Sequence, residues 1–331
     1  MPYVSFLMYH DVRDPERSRW PKRYTQRSFI GNARLAADLD TIQDHYTVIS
    51  IREALAGLAG TTALPANPAV LTFDDGLRDH ATTAMPMLVQ RGLSGCFFLP
   101  SRPIAEGFVM PAHKIQFILG EASDMAAVVH SLFALLDERR EEAPMIPAND
   151  ALWAEYSHST HAGNHWPAEM VFVTRLLRTS LHADIRSALV DALFHRYVTV
   201  DEADFAADLY LRPHQVAQLI DANQDVGGHG TASFNLCLLS DAERRAEIQG
   251  AWDFLMAQVP AYVAAGPTAF SYPHGGHDAK IEALLVEAGF ASGLTTEKRV
   301  ASADDSLYHL PRFDGAQDRP WPGGQEGKTT A

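Results

Sequence analysis

The chain has 331 residues, of which 47% are apolar and 21% are charged. This composition is sufficient for a core and excludes disorder over most of the length. The 41 Asp and Glu residues against 27 Lys and Arg residues give a net charge of −14, which argues against a general nucleic-acid binder.

The first hundred residues predict strands and helices in alternation. Apolar runs predict strands at 4–9, 48–50, 69–73 and 95–99. Helical spacing of apolar residues predicts helices at 32–45, 51–58 and 80–91. This alternation is typical of a parallel α/β sheet.

From 105 to 213 the pattern favours helices, at 115–119, 125–140, 170–197 and 202–211. The alternation then returns, with helices at 214–223, 241–259 and 278–288 and strands at 225–228, 268–272, 291–295 and 307–310. We therefore predict one α/β domain in two parts, 1–104 and 214–314, split by a helical insertion at 105–213. A loose tail is expected at 315–331, which is rich in Gly, Pro and charged residues.

Cysteine content and apolar runs bear on the cellular compartment. Cys96 and Cys237 are too few for a disulfide framework. The first ten residues lack the basic segment of a signal peptide, and no stretch reaches the ~18 consecutive apolar residues of a spanning helix. We therefore expect a cytoplasmic protein without a membrane span, and the sequence predicts no oligomeric state.

Four predicted strands end in polar residues rather than in ordinary turn residues. These ends are Tyr9-His10-Asp11, Phe73-Asp74-Asp75-Gly76, Gly228-His229-Gly230 and Tyr272-Pro273-His274-Gly275. Because the carboxyl ends of parallel strands meet at one edge of a sheet, these residues are expected to converge on one site.

The adjacent carboxylates of Asp74 and Asp75 repel each other unless a cation separates their roles. One could ligate a metal ion while the other serves as a general base beside the metal-bound water. The same string also fits a plain turn that caps the next helix. His229 is open to the same two interpretations, a metal ligand or a surface turn, and His10 could also be a core histidine.

Taken together, these strings resemble the polysaccharide deacetylase family, carbohydrate esterase family 4, over 5–99 and 213–314. Thr72-Phe-Asp-Asp-Gly76 matches the first motif of that family intact. Tyr9-His10-Asp11-Val12 and Phe270-Ser-Tyr-Pro-His-Gly275 resemble a permuted branch, in which the catalytic-acid histidine lies on the first strand. The resemblance implies a distorted (β/α) barrel of about seven strands with a large helical insertion, and hydrolysis of an acetyl or formyl amide on an amino sugar.

The resemblance also implies roles for individual residues. Asp74 would be the general base and His10 the general acid that protonates the leaving amine. Asp75 and His229 would ligate a divalent metal ion, zinc or a similar ion. The turn that would contact the substrate and stabilise the oxyanion consists of Tyr272, Pro273, His274 and Gly275.

One departure from the family concerns the metal. The second metal histidine of the family lies four residues after the first, and Ser233 occupies that position here. Serine is a poor zinc ligand, since catalytic zinc ions usually have three protein N, S or O ligands. Three explanations stay open: a substitute ligand such as His113, Asn235 or His274, weak metal binding, or a metal-independent reaction.

Several other histidines and charged residues lie outside these motifs. The spacing of His158, His161 and His165 fits one helix face, but the intervening Gly and Asn favour a solvated loop. His309 is an alternative general acid should His10 point away. Arg312 and Asp314 are expected to form an ion pair at the end of a strand.

The expected substrate follows from the predicted compartment. A small nucleotide- or lipid-linked sugar from polysaccharide biosynthesis is more accessible to a cytoplasmic enzyme than an exported polymer. One alternative is a metal-independent, allantoinase-like hydrolase of cyclic amides, which metal content and chelator sensitivity would distinguish. Another is a non-catalytic carbohydrate-binding protein, in which Asp74→Asn would leave ligand binding intact.

Overall fold

The computed structural model describes residues 2–14, 29–158, 166–181 and 183–321. It divides into two compact units, one spanning Val109–Phe205 and one comprising the described residues on either side of that segment. The predicted loop histidines His161 and His165 lie outside the described residues, as does 322–331, while His158 is exposed. None of the described helices combines the length and hydropathy that a membrane span requires.

The strands are short, and all of those described belong to the first unit. They are β1 (Tyr3–Tyr9), β2 (Asp11–Val12), β3 (Phe29–Ile30), β4 (Thr47–Val48), β5 (Pro68–Phe73), β6 (Gly95–Leu99), β7 (Asp225–Gly228), β8 (Ala269–Ser271), β9 (Ser292–Leu294), β10 (Ala301–Ser302) and β11 (Phe313–Asp314).

The helices fall in both units: α5 to α9 and the first half of α10 belong to the second unit, and the others belong to the first. They are α1 (Asn32–His45), α2 (Ile51–Leu58), α3 (Met85–Gln90), α4 (Ser101–Glu106), α5 (Pro111–Glu121), α6 (Met125–Arg140), α7 (Asn149–Tyr156), α8 (Ala168–Arg175), α9 (Ala183–Tyr197), α10 (Glu202–Leu209), α11 (Pro213–Asp221), α12 (Asp241–Gln258), α13 (Pro260–Ala265) and α14 (Ala279–Ala288).

The main sheet of the first unit has the strand order β10-β1-β5-β6-β7-β8-β9, with β11 beside β1 and β4 beside β5. Neighbours from β1 to β9 along this path run parallel, and β10 is antiparallel to β1. This curled sheet, whose main path has seven strands, confirms together with its helices the predicted distorted barrel with helical insertions. Since β1, β5, β7 and β8 run in one direction, their carboxyl ends share one edge of the sheet.

Both faces of the sheet are buried, as is typical of parallel sheets. Along β5, Leu71 and Phe73 belong to one hydrophobic cluster, and Val70 belongs to another that includes Phe98. This alternation follows from the two-residue period of a strand. The ring of Phe73 stacks against those of Tyr9 and Phe97, with centroids 5.5 and 4.8 Å away, directly below the carboxyl edge.

The second unit is helical and contains one buried lysine. Lys114 on α5 is 1% exposed, and its Nζ donates to Asp191 Oδ1 on α9 at 2.6 Å and to Glu202 Oε2 on α10 at 2.9 Å. Phe117 and Phe205 pack edge to face beside it, with centroids 4.7 Å apart. These contacts join α5, α9 and α10 into one packed body.

Two predicted elements differ from the structure. The strand predicted at 307–310 is wrong, because only Leu310 pairs there, in an isolated bridge with Leu294. The helix predicted at 170–197 is broken, since α8 passes into a wider π-helical turn at Leu176–Ser180 before α9 begins. The two-residue strands β2, β3, β10 and β11 were not predicted, because two residues are too few to show a hydrophobic period.

Candidate active site

The carboxyl ends of the parallel strands bring several predicted site residues into one region. The backbone N–H of Asp74 donates to Tyr9 O at 2.9 Å, which joins the end of β5 to the end of β1. The backbone N–H of His229 donates to Leu99 O at 3.1 Å, which joins the ends of β7 and β6. His10, Asp74, Asp75 and His229 therefore lie at neighbouring strand ends.

Asp74 is buried and held by an arginine that is distant in sequence. The Arg312 guanidinium donates from Nη1 to Asp74 Oδ1 and from Nη2 to Asp74 Oδ2, both at 2.8 Å. Ser271 Oγ donates to Asp74 Oδ2 at 3.0 Å. Arg312 is itself fully buried, and its Nε donates to Thr295 O at 2.9 Å. Both carboxylate oxygens are therefore fixed in position.

These contacts determine the charge state of Asp74. Burial alone raises the pKa of a carboxyl group, but the Arg312 guanidinium outweighs burial and lowers the pKa of Asp74 to about 2. Asp74 is therefore ionised across the neutral pH range. The predicted ion pair between Arg312 and Asp314 is wrong, because Arg312 pairs with Asp74 instead. Asp314 accepts hydrogen bonds from Gln317.

Asp75 and His229 form a second pair of ionisable groups. Asp75 Oδ1 lies 3.5 Å from His229 Nε2, and His229 Nδ1 donates to Ser271 O at 2.9 Å. Asp75 has a φ of 78° and Gly76 a φ of 58°, so two successive left-handed residues make the sharp turn after β5. Burial lowers the pKa of His229, but the carboxylates of Asp75 and Asp74 outweigh burial and raise that pKa above its ordinary value.

The two glycines before His229 are required by packing. A Cβ atom at Gly227 would lie 2.5 Å from Ala269 O, and one at Gly228 would lie 2.6 Å from the Phe290 ring. Their absent side chains therefore let β7 pass close to its neighbours. The residues after His229 are held by Glu247, whose Oε2 accepts from the backbone N–H groups of Thr231 at 2.8 Å and Ala232 at 3.2 Å.

The backbone of His10 is anchored by a second histidine that sequence reasoning missed. His80 is fully buried, and its Nε2 donates to His10 O at 2.8 Å. Burial lowers the pKa of His80 to about 4, so its imidazole is neutral at pH 7. His80 is thus a positioning residue for the strand end that carries His10, while the charge of His10 helps to lower the pKa of Asp74.

The predicted substrate turn follows β8. Tyr272 and Pro273 are buried, and Tyr272 Oη donates to Tyr308 O at 2.8 Å, so this hydroxyl has a structural partner. His274 is exposed and has a φ of 58°, and Gly275 has a φ of 73°. His274 is therefore an exposed residue in the turn after β8, and the role of its backbone toward an oxyanion stays a prediction.

Asp75 and His229 could supply two ligands to a divalent ion, one fewer than a catalytic zinc ion usually has. The Nδ1–H of His229 is tied to a carbonyl, the usual orientation of a ligating histidine, and Asp75 adds an anionic oxygen. Of the proposed substitutes, Asn235 Oδ1 caps a turn by accepting from Cys237 N at 3.0 Å, and His113 is a buried residue of the second unit. The described residues offer no third His, Cys, Asp or Glu beside the Asp75–His229 pair.

Comparisons with known proteins identify the fold. No family model matches the sequence, and no curated protein matches it. Among solved structures, the deacetylase PplD of Streptococcus pyogenes is similar, with a TM-score of 0.55, 14% identity, and coverage of 95% of this chain and 92% of that one. A de-N-acetylase from Aggregatibacter actinomycetemcomitans has a TM-score of 0.52 and 12% identity, with 94% of each chain covered. IcaB from Ammonifex degensii has a TM-score of 0.51 and 14% identity, covering 95% of this chain and 92% of its own. The chain therefore has the fold of the polysaccharide deacetylases.

Proposed function

We propose that this protein is a hydrolase that removes an N-acyl group, acetyl or formyl, from an amino sugar. The observation that carries the proposal is the pairing of Asp74 with Arg312 next to the Asp75–His229 pair, at the strand ends of a deacetylase fold. An ionised carboxylate, an imidazole and a second histidine at neighbouring strand ends are the groups that amide hydrolysis requires.

Hydrolysis requires a water molecule to lose a proton as it attacks the acyl carbon. Asp74 is ionised across the neutral pH range and held by Arg312, so it is available there as the proton acceptor. A carboxylate with so low a pKa is a weak base, and its contribution depends on positioning more than on proton affinity. A divalent ion bound by Asp75 and His229 would supply Lewis-acid activation of the water.

The departing amine must receive a proton before the C–N bond breaks. His10 lies at the end of β1, beside the strand that carries Asp74, and His80 fixes its carbonyl. We propose that the His10 imidazolium donates this proton and that the His274 backbone stabilises the oxyanion. Two separate proton carriers avoid the need for one group to change its role within a turnover.

The proposed substrate is a linked amino sugar and not a free one. We propose a nucleotide- or lipid-linked amino sugar of polysaccharide biosynthesis, handled in the cytoplasm. The test is a panel of N-acetyl and N-formyl amino sugars, free, nucleotide-linked and lipid-linked, assayed for released acid and free amine. Turnover of a linked sugar well above that of the free sugar supports the proposal, whereas no release from any member contradicts it.

A second candidate is a metal-independent hydrolase of cyclic amides. The observation that favours it is Ser233 in place of a third metal donor, since Asp75 and His229 alone make an incomplete zinc site. Activity on a cyclic amide that survives chelation, together with inactivity on every amino sugar, would favour this candidate. Chelator-sensitive release of acetate would favour the deacetylase.

A further inference from the structure

A second group of metal-ligating side chains lies outside the site described above. Among the described residues, one group of three or more His, Cys, Asp and Glu has all its ligand atoms within 4.8 Å of one another, and it consists of His277, Glu282 and His309. We call this the His277–His309 cluster. All three residues belong to the first unit and are partly buried. They come from the turn after β8, from α14 and from the segment before β11.

Each histidine has one inner ring nitrogen that faces the other histidine and one outer ring nitrogen that faces away from it. The outer nitrogens of both histidines face hydrogen-bond acceptors. His277 Nδ1 lies 3.1 Å from Gly275 O, and His309 Nε2 lies 2.8 Å from Glu297 Oε1. A carbonyl oxygen and a carboxylate can only accept hydrogen bonds, so both of these ring nitrogens carry protons. This is the arrangement in which a carbonyl or carboxylate orients a metal-ligating histidine.

The inner nitrogens then face each other, and neither carries a proton for a hydrogen bond between them when both rings are neutral. His277 Nε2 lies 3.0 Å from His309 Nδ1, and the two rings are nearly perpendicular. When both imidazoles are neutral, each inner nitrogen presents a lone pair, and two lone pairs at this distance repel. A cation between them, either a shared proton or a metal ion, would relieve this repulsion.

The distances and charges favour a metal ion of the zinc class. Tetrahedral zinc with Zn–N distances of about 2.0–2.1 Å separates two histidine nitrogens by about 3.3 Å, only a few tenths of an ångström more than the spacing here. Glu282 adds a negatively charged third ligand, and two histidines with one glutamate form a known zinc donor set. Glu297 would then act behind His309 as an orienting carboxylate.

We propose that His277, Glu282 and His309 bind a divalent transition-metal ion, separate from the Asp75–His229 pair. Such an ion would tie together the turn after β8, α14 and the 306–310 segment. It would also stabilise the turn that carries His274, because the His277 ring stacks on Tyr272 with centroids 5.1 Å apart. The proposal does not depend on the deacetylase function, since its test is metal binding alone.

The test is titration of the metal-free full-length chain with Co²⁺ and Zn²⁺ in an Asp75→Asn/His229→Gln background, followed by visible absorption and calorimetry. We expect this background variant to bind one equivalent of metal. His309→Ala should abolish binding, and Glu297→Gln should weaken it about 10–100-fold. His214→Gln changes an exposed histidine on α11 and should leave binding unchanged.

If the background variant does not fold, the wild-type chain and His309→Ala are compared directly. The proposal predicts that the wild type binds one more equivalent than His309→Ala. Equal binding by these two proteins would overturn it. So would an absence of zinc binding at millimolar zinc, because the inner nitrogens would then share only a proton.

Discussion

Replacing Arg312 by glutamine tests whether this arginine keeps Asp74 ionised. Asp74 has an ordinary pKa of 3.8 that the structure lowers to about 2, and this difference corresponds to about 2–3 kcal/mol of stabilisation of the charged form. The variant also loses the bonds of Arg312 to Thr295 and Ser271, each worth about 1 kcal/mol. Breaking a buried ion pair typically costs about 3–5 kcal/mol, so we expect a loss of that size at neutral pH.

The difference in unfolding free energy between the wild type and Arg312→Gln should change with pH in a definite direction. In the wild type the pKa of Asp74 is lowered on folding, so its contribution to stability is complete above about pH 4 and is lost as pH falls through about 2. In Arg312→Gln, burial without the guanidinium raises the pKa of Asp74, and the charged carboxylate becomes destabilising. The stability difference between wild type and variant should therefore narrow as pH falls from about 8 to about 4.

Urea unfolding followed by circular dichroism measures this difference across the pH range. The control is the double variant Asp74→Asn/Arg312→Gln, which removes both charges and should recover much of the lost stability. A loss below about 1 kcal/mol, or a loss that does not change with pH, would show that the pair does not set the charge of Asp74.

Three further predictions concern the catalytic acid, the metal position and the sheet. His10→Ala should lower kcat about 10²–10⁴-fold with little change in KM, and unchanged steady-state kinetics would remove His10 from the mechanism. Ser233→His should raise zinc affinity by at least about tenfold when titrated in a His309→Ala background, and equal affinity would mean that position 233 does not face the Asp75–His229 pair. Gly228→Ala should cost about 1–3 kcal/mol in urea unfolding, because its Cβ would lie 2.6 Å from the Phe290 ring, and wild-type stability would contradict this packing argument.

The fold and the strand-end residues could be predicted from local patterns. Apolar runs at 69–73 and 95–99 match β5 and β6 closely, because buried parallel strands are continuous apolar segments bounded by turns. Asp74 stood out because it follows such a run directly, and His229 because it follows the glycine pair Gly227-Gly228 at the end of a predicted strand. Local pattern was sufficient where a feature lies within one strand and its end.

Contacts between distant segments could not be predicted in this way. Arg312 lies 238 residues from Asp74, and His309 lies 32 residues from His277, so neither pairing leaves a periodic signal. The sequence predicted an ion pair between Arg312 and Asp314, the nearest carboxylate in sequence, and this was the wrong partner. The pairing of β11 with β1 places Arg312 near the end of β5, where its guanidinium meets Asp74.

The most direct test of the central claim is release of acetate and free amine from an N-acetyl amino sugar by the wild type and by Asp74→Asn. Asp74→Asn keeps the shape of the side chain and removes its charge, and circular dichroism checks that the variant is folded. We predict equal amounts of acetate and amine from the wild type and a loss of at least about 10²-fold in kcat for the variant. Equal release by wild type and folded Asp74→Asn would contradict the assignment of Asp74 as the base, and no release by the wild type from any amino sugar would contradict the proposed function.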